Sequence, residues 1–124
     1  MAAETVLVVD DEDAVRNVLT RMLNASGYVA ASASTAASAL KLFEEGQRFD
    51  LVICDQRMPG MSGDECLERI WAIAPGQRVL RVAGAAHDDD AAPIAPGRGT
   101  PVLVKPFTME RLLASVREAL SQRQ

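Results

Sequence analysis

No stretch of this sequence stays apolar for the roughly 20 residues that a helix needs to cross a bilayer, so membrane insertion is not expected. The start, Met1-Ala2-Ala3-Glu4, has neither the basic patch nor the apolar run of a secretory signal. Together these two absences point to the cytoplasm. Basic clusters are missing as well. The 13 Lys and Arg residues are scattered and the net charge is −4, whereas a duplex reader carries a basic face. Direct nucleic-acid binding is therefore not expected. Cysteine is scarce: Cys54 and Cys66 have the spacing of neither a zinc site nor a redox CxxC pair. Both read as small buried hydrophobes in a reducing compartment. No repeat and no linker divides the 124 residues, which are enough for one core but not two, so residues 1–124 read as a single domain.

What is present is a regular alternation. Thr5 to Val9 and Leu51 to Cys54 are short continuous apolar runs of the kind found in strands buried on both faces. Tyr28 to Ala33 is a weaker strand, Arg78 to Ala83 a fourth, and Pro101 to Val104 a fifth. Between them apolar residues recur at helical spacing: Val15, Leu19 and Leu23; Ala36, Leu40 and Phe43; Cys66, Leu67, Ile70 and Ala74. Met109, Leu112, Val116 and Leu120 mark a last amphipathic helix. Strands alternating with helices imply an α/β fold, a parallel sheet covered on both sides with right-handed crossovers. One segment breaks the rhythm. Residues 87–99 should hold a helix, yet they contain Pro93, Pro96, Gly97 and Gly99, which leave room for a short helix or an ordered loop.

In such sheets the ligand site lies beyond the carboxyl ends of the strands. That end should collect Asp10 and Asp11 after the first strand, Asp55 after the third, Ala83 and Gly84 after the fourth, and Lys105 after the fifth. Each alone has an ordinary explanation. Asp10-Asp11 could cap a helix, and Asp55 could serve the Pro59-Gly60 turn. Together they form an acidic pocket whose mutual repulsion a hard cation relieves. Mg²⁺ suits it, since that ion prefers oxygen ligands. A carboxylate can attack phosphorus to form an acyl phosphate, with the cation and Lys105 neutralising charge.

Three motifs in order resemble the response-regulator receiver domain: Val8-Val9-Asp10-Asp11-Glu12, then Asp50 to Asp55 with Arg57-Met58-Pro59-Gly60, then Val104-Lys105-Pro106-Phe107. The resemblance implies a flavodoxin-like doubly wound sheet of five parallel strands in the order 2-1-3-4-5, the order of chemotaxis regulators in the same family, with the fourth helix degraded here. It implies that Asp55 is the phosphoacceptor, that Asp11 binds Mg²⁺ directly and Asp10 through water, and that the Arg57 carbonyl is a further ligand. It also implies that Lys105 pairs with the phosphoryl oxygens and that the Lys105-Pro106 bond is cis. The implied donor is a phosphohistidine on a histidine kinase or phosphotransfer protein, docking on Val15, Arg16, Leu19 and Phe107. Such a domain is not an enzyme, beyond assisting its own phosphorylation and dephosphorylation.

Two departures stand out. The family usually has Ser or Thr where this chain has Ala83, and often an aromatic residue where it has Val102. Both halves of the usual hydroxyl-to-aromatic switch are missing. The leading expectation is a phosphorylatable receiver, stand-alone or within a hybrid histidine kinase. The alternative is a pseudo-receiver that binds partners without phosphate-driven switching. An aspartate-nucleophile phosphatase would carry Asp-x-Asp, and Asp55-Gln56-Arg57 argues against it.

Overall fold

The computed structural model describes residues 3–58, 60–84 and 101–121. Its elements are β1 (Thr5–Val9), α1 (Asp13–Ala25), β2 (Val29–Ala33), α2 (Ala36–Glu44), β3 (Leu51–Asp55), α3 (Gly63–Ile73), β4 (Val79–Gly84), β5 (Val102–Lys105) and α4 (Met109–Ser121). The expected degraded helix at residues 87–99 lies outside the described residues. The five strands form one sheet in the order β2-β1-β3-β4-β5, and every pairing is parallel.

Alternation along each strand sends successive side chains to opposite faces. Leu7, Val9, Val52 and Cys54 pack against Phe43 of α2 and Ile70 of α3. Val6, Val8, Leu51 and Ile53 pack on the other face against Leu19 of α1 and Val116 of α4. This two-sided burial is why β1 and β3 are apolar without interruption. β2 is an edge strand and mostly exposed, which explains its weaker pattern.

Several boundaries differ by a residue from expectation: β2 begins at Val29, not Tyr28, and β3 ends at Asp55, not Cys54. β5 runs from Val102 to Lys105, not from Pro101. Pro101 has no N–H to give the ladder, and it contributes only its carbonyl, which accepts from the Arg81 N–H at 3.1 Å. β4 is shifted by one in the same direction, from Val79 to Gly84. α3 ends at Ile73 with Ala74 at φ −132° and ψ 83°, because the residue before Pro75 is driven out of the helical region.

Candidate functional site

The carboxyl ends of β1, β3 and β5 bring the expected residues together. Asp10 follows Val9, its N–H bonded to the Ala33 carbonyl at 3.2 Å, and its side chain is turned inward. Its Oδ1 accepts from the Glu12 N–H at 2.9 Å, closing a tight turn into α1. The cap of α1 is Glu12, so Asp10 and Asp11 are not spent on that role. Asp55 is the last residue of β3 and is buried. Its Oδ1 accepts from the Arg57 N–H at 3.1 Å, which ties the following loop back onto the carboxylate. Lys105 ends β5, and its Nζ lies 3.2 Å from Asp55 Oδ2 and 4.0 Å from Asp10 Oδ2. The Lys105-Pro106 bond is cis, as the resemblance implies.

Carboxylate oxygens of Asp10, Asp11 and Asp55 all lie within 4.8 Å of one another. Burial pushes the Asp10 carboxyl up to about 6; the Glu12 N–H opposes this, the Asp55 charge adds to it, and Lys105 opposes it in turn. Burial alone would lower the Lys105 ammonium, but the Asp55 and Asp10 carboxylates outweigh it and the net movement is upward. Lys105 is therefore a fixed cation at neutral pH. One cation against three carboxylates leaves excess negative charge in a partly buried, all-oxygen donor set. That set fits Mg²⁺, which takes one or two carboxylates and keeps several waters.

Two glycines give the site its shape. Gly60 has φ 83°, a left-handed conformation that turns the loop after Asp55. A Cβ at Gly63 would overlap the Asp55 carbonyl oxygen, so only glycine lets the first turn of α3 press on the end of β3. Ser62 caps that helix by accepting from the Glu65 N–H at 3.2 Å.

Arg16, expected at a docking surface, has its guanidinium turned toward the acidic loop. It donates to the Asp10 carbonyl at 2.8 Å and to the Asp13 carboxylate, bracing the acidic loop from behind. Leu19 is buried in the core, while Val15 is half-buried. Ala14, Val15, Val18, Met22, Pro106 and Phe107 line an apolar groove of about 530 Å³ that opens beside Lys105. Cys54 and Cys66 are buried as expected; the Cys54 thiol donates to the Asp55 carbonyl at 3.4 Å, and the neighbouring Cys66 together with burial holds that thiol well above its ordinary range. Sequence reasoning missed the Gln56, Asp64 and Arg81 contacts, although a charged residue inside the apolar β4 run was a visible signal.

Over residues 6–117 the chain matches the response regulator receiver domain family. It belongs to that family, the class of signalling domains used in two-component systems. It is 35% identical over 119 residues to the sensor kinase CckA of Brucella abortus, covering 95% of this chain and 13% of that protein. It is 29% identical to sporulation initiation phosphotransferase F of Bacillus subtilis, covering 97% of this chain and 96% of that one. A receiver domain structure from Clostridium thermocellum superposes with a TM-score of 0.83 at 31% identity, covering 97% of this chain and 94% of the other. The chain thus spans a small part of the sensor kinase and nearly all of the phosphotransferase. Receiver domains are generally not enzymes in their own right. No described helix is long and apolar enough to cross a membrane.

Proposed function

We propose that Asp55 accepts a phosphoryl group from a phosphohistidine, within a chain whose residues 1–124 act as one receiver domain. What carries this reading is the convergence on Asp55 of the Lys105 ammonium at 3.2 Å and the Asp10 and Asp11 carboxylates within 4.8 Å. An Asp55 carboxylate oxygen attacks phosphorus as the P–N bond to the donor imidazole breaks, and the imidazole leaves with that electron pair. Lys105 neutralises charge on the transferred group, and the Arg57 N–H holds the other Asp55 oxygen in place. Asp10, Asp11, Asp55 and the Arg57 carbonyl would hold Mg²⁺, which supplies further charge neutralisation during transfer. Later attack by water on the acyl phosphate returns the free carboxylate and inorganic phosphate. The chain's catalysis is limited to these two steps on itself.

The donor is a histidine kinase or histidine phosphotransfer protein. The groove lined by α1 and by Pro106 and Phe107 fits such a partner, because it is apolar and opens beside Lys105. A receiver of this design works alone in a relay or within a hybrid kinase, and the likeness to a phosphotransferase and to a sensor kinase supports both settings. The expected setting is the cytoplasm, with no direct contact to nucleic acid. A pseudo-receiver is the weaker reading, since the acid and lysine set is complete and only the positions of Ala83 and Val102 are altered.

The test is the intact mass after incubation with acetyl phosphate and Mg²⁺. The wild-type protein should gain one phosphoryl group and Asp55→Asn none. Equal gain by both proteins would place the acceptor elsewhere.

A further inference from the structure

Arg81 stands in the middle of β4 and is only 1% exposed. A guanidinium is rarely buried so fully without a defined partner. In the parallel register Arg81 is paired with Cys54, the residue before the phosphoacceptor, and so faces α3. Its Nη1 lies 3.8 Å from Asp64 Oδ1 in the first turn of α3. The same Oδ1 accepts from Gln56 Nε2 at 2.8 Å. Gln56 directly follows Asp55 and is 8% exposed. Its N–H donates to the Val82 carbonyl at 3.1 Å, and its own carbonyl accepts from the Gly63 N–H at 3.1 Å. β3, β4 and α3 thus meet at one residue beside the phosphoacceptor. Among the described residues, Gln56 Oε1 is buried with no hydrogen-bond partner. An orphaned buried acceptor is costly, and its carboxamide already shares an acceptor atom with the Arg81 guanidinium.

We propose that Arg81, acting through Asp64 and Gln56, is a positioning residue that fixes the Asp55–Arg57 loop in the geometry used for metal binding and phosphoryl transfer. The proposal deepens the reading of the preceding subsection and rests on it. Gln56 has two backbone bonds that set its height between β4 and α3, but neither sets the rotation of the loop beyond it. The side-chain bond to Asp64 supplies that third constraint. Arg81 holds Asp64 in place with a charge that burial keeps away from water. Arg81 in turn is anchored by a backbone in a strand paired on both sides and by its burial.

Amide hydrogen exchange on the metal-free protein tests this without relying on activity. Arg81→Met is the informative variant. It keeps the volume apolar, and the Asp64 carboxylate it leaves behind is half-exposed and can be hydrated. The thermal midpoint should stay near that of wild type. The Arg57 amide, bonded to Asp55, and the Gly63 amide, bonded to Gln56, should exchange about tenfold faster, and the Val8 and Ile53 amides should be unchanged. Mg²⁺ affinity of the same variant should fall by roughly threefold to tenfold. Gln56→Met removes the same link from its other end and should reproduce both effects, so a poorly folded Arg81 variant would not end the test. The double variant should be no worse than either single one, because the residues act in series. Wild-type exchange at Arg57 and Gly63 in folded Arg81→Met or Gln56→Met would overturn the proposal. A wild-type protein that binds no Mg²⁺ would instead contradict the proposed function, and the exchange result would still decide the role of Arg81.

Discussion

The carboxyl end of the sheet and its β4–β5 side have diverged differently from the family pattern. At the carboxyl end, Asp10, Asp11, Asp55 and Lys105 are all present and gathered into one pocket. On the β4–β5 side, Ala83 is buried just beyond the residue paired with Asp55, and Val102 is half-buried opposite Arg81. Neither has a hydroxyl or a ring to move. Receiving a phosphoryl group needs positioned charges, whereas passing on its arrival needs an element with two alternative states. Here the charges suited to the first are in place, while the usual groups for the second are absent.

Substitutions at the two regions should differ sharply in size. The largest effect is expected from Asp11→Ala, which should remove Mg²⁺ binding altogether while leaving the fold intact, as followed by calorimetric titration. Unchanged affinity would mean that the metal sits elsewhere. Gly63→Ala comes next. Its methyl group must displace the Asp55 carbonyl, so denaturant unfolding should show a loss of about 1–3 kcal/mol. Gly76→Ala is the control, since nothing lies within 4 Å of a Cβ there. It should change stability by less than about 0.5 kcal/mol.

The pH dependence follows from Asp10. Its carboxyl titrates at about 6 in the folded chain, above its value of 3.8 when unfolded. The folded state therefore holds the proton more tightly. The contribution of Asp10 to stability is fully present below pH 3.8 and is lost as pH rises through 6. Mg²⁺ competes with that proton, so raising the pH from 5 to 7 should tighten Mg²⁺ binding about tenfold. Flat affinity across this range would show that Asp10 is not near the ion. The smallest effect is expected on the other side of the comparison. Ala83→Thr should leave the fold and Mg²⁺ affinity almost unchanged and lengthen the lifetime of the acyl phosphate by a few-fold, through one added hydrogen bond to the phosphoryl group. A lifetime equal to that of wild type would show that residue 83 does not face it.

The strand alternation and the acid–lysine pocket were legible in the sequence because each depends on local pattern plus one topological rule, whereas the strand order came only with the resemblance to receiver domains. Asp10, Asp55 and Lys105 announce themselves by standing where apolar runs stop. The β5 boundary was off by one, since an apolar pattern does not register the missing N–H of Pro101. The docking role expected of Arg16 came with the family resemblance, and only the structure shows its guanidinium turning back to the Asp10 carbonyl. The Gln56–Asp64 and Asp64–Arg81 contacts join residues 8 and 17 positions apart, from the loop after β3, from α3 and from β4, and they depend on the β3–β4 register and on the close approach allowed by Gly63. Arg81 inside an apolar run signals a buried partner, but no local pattern says which residues supply it. The nearness of Cys54 and Cys66 escaped for the same reason.

The claim that an intact phosphoacceptor site is joined to a side lacking the usual switch is tested most directly by backbone amide NMR, with Mg²⁺ present, before and after adding beryllofluoride. The account predicts large shifts at Asp11, Gln56, Arg57 and Lys105 that fade before Val102. Large shifts throughout β5 and α4 would contradict it, since they would show a working route from Asp55 to that side that needs neither a hydroxyl at residue 83 nor a ring at residue 102.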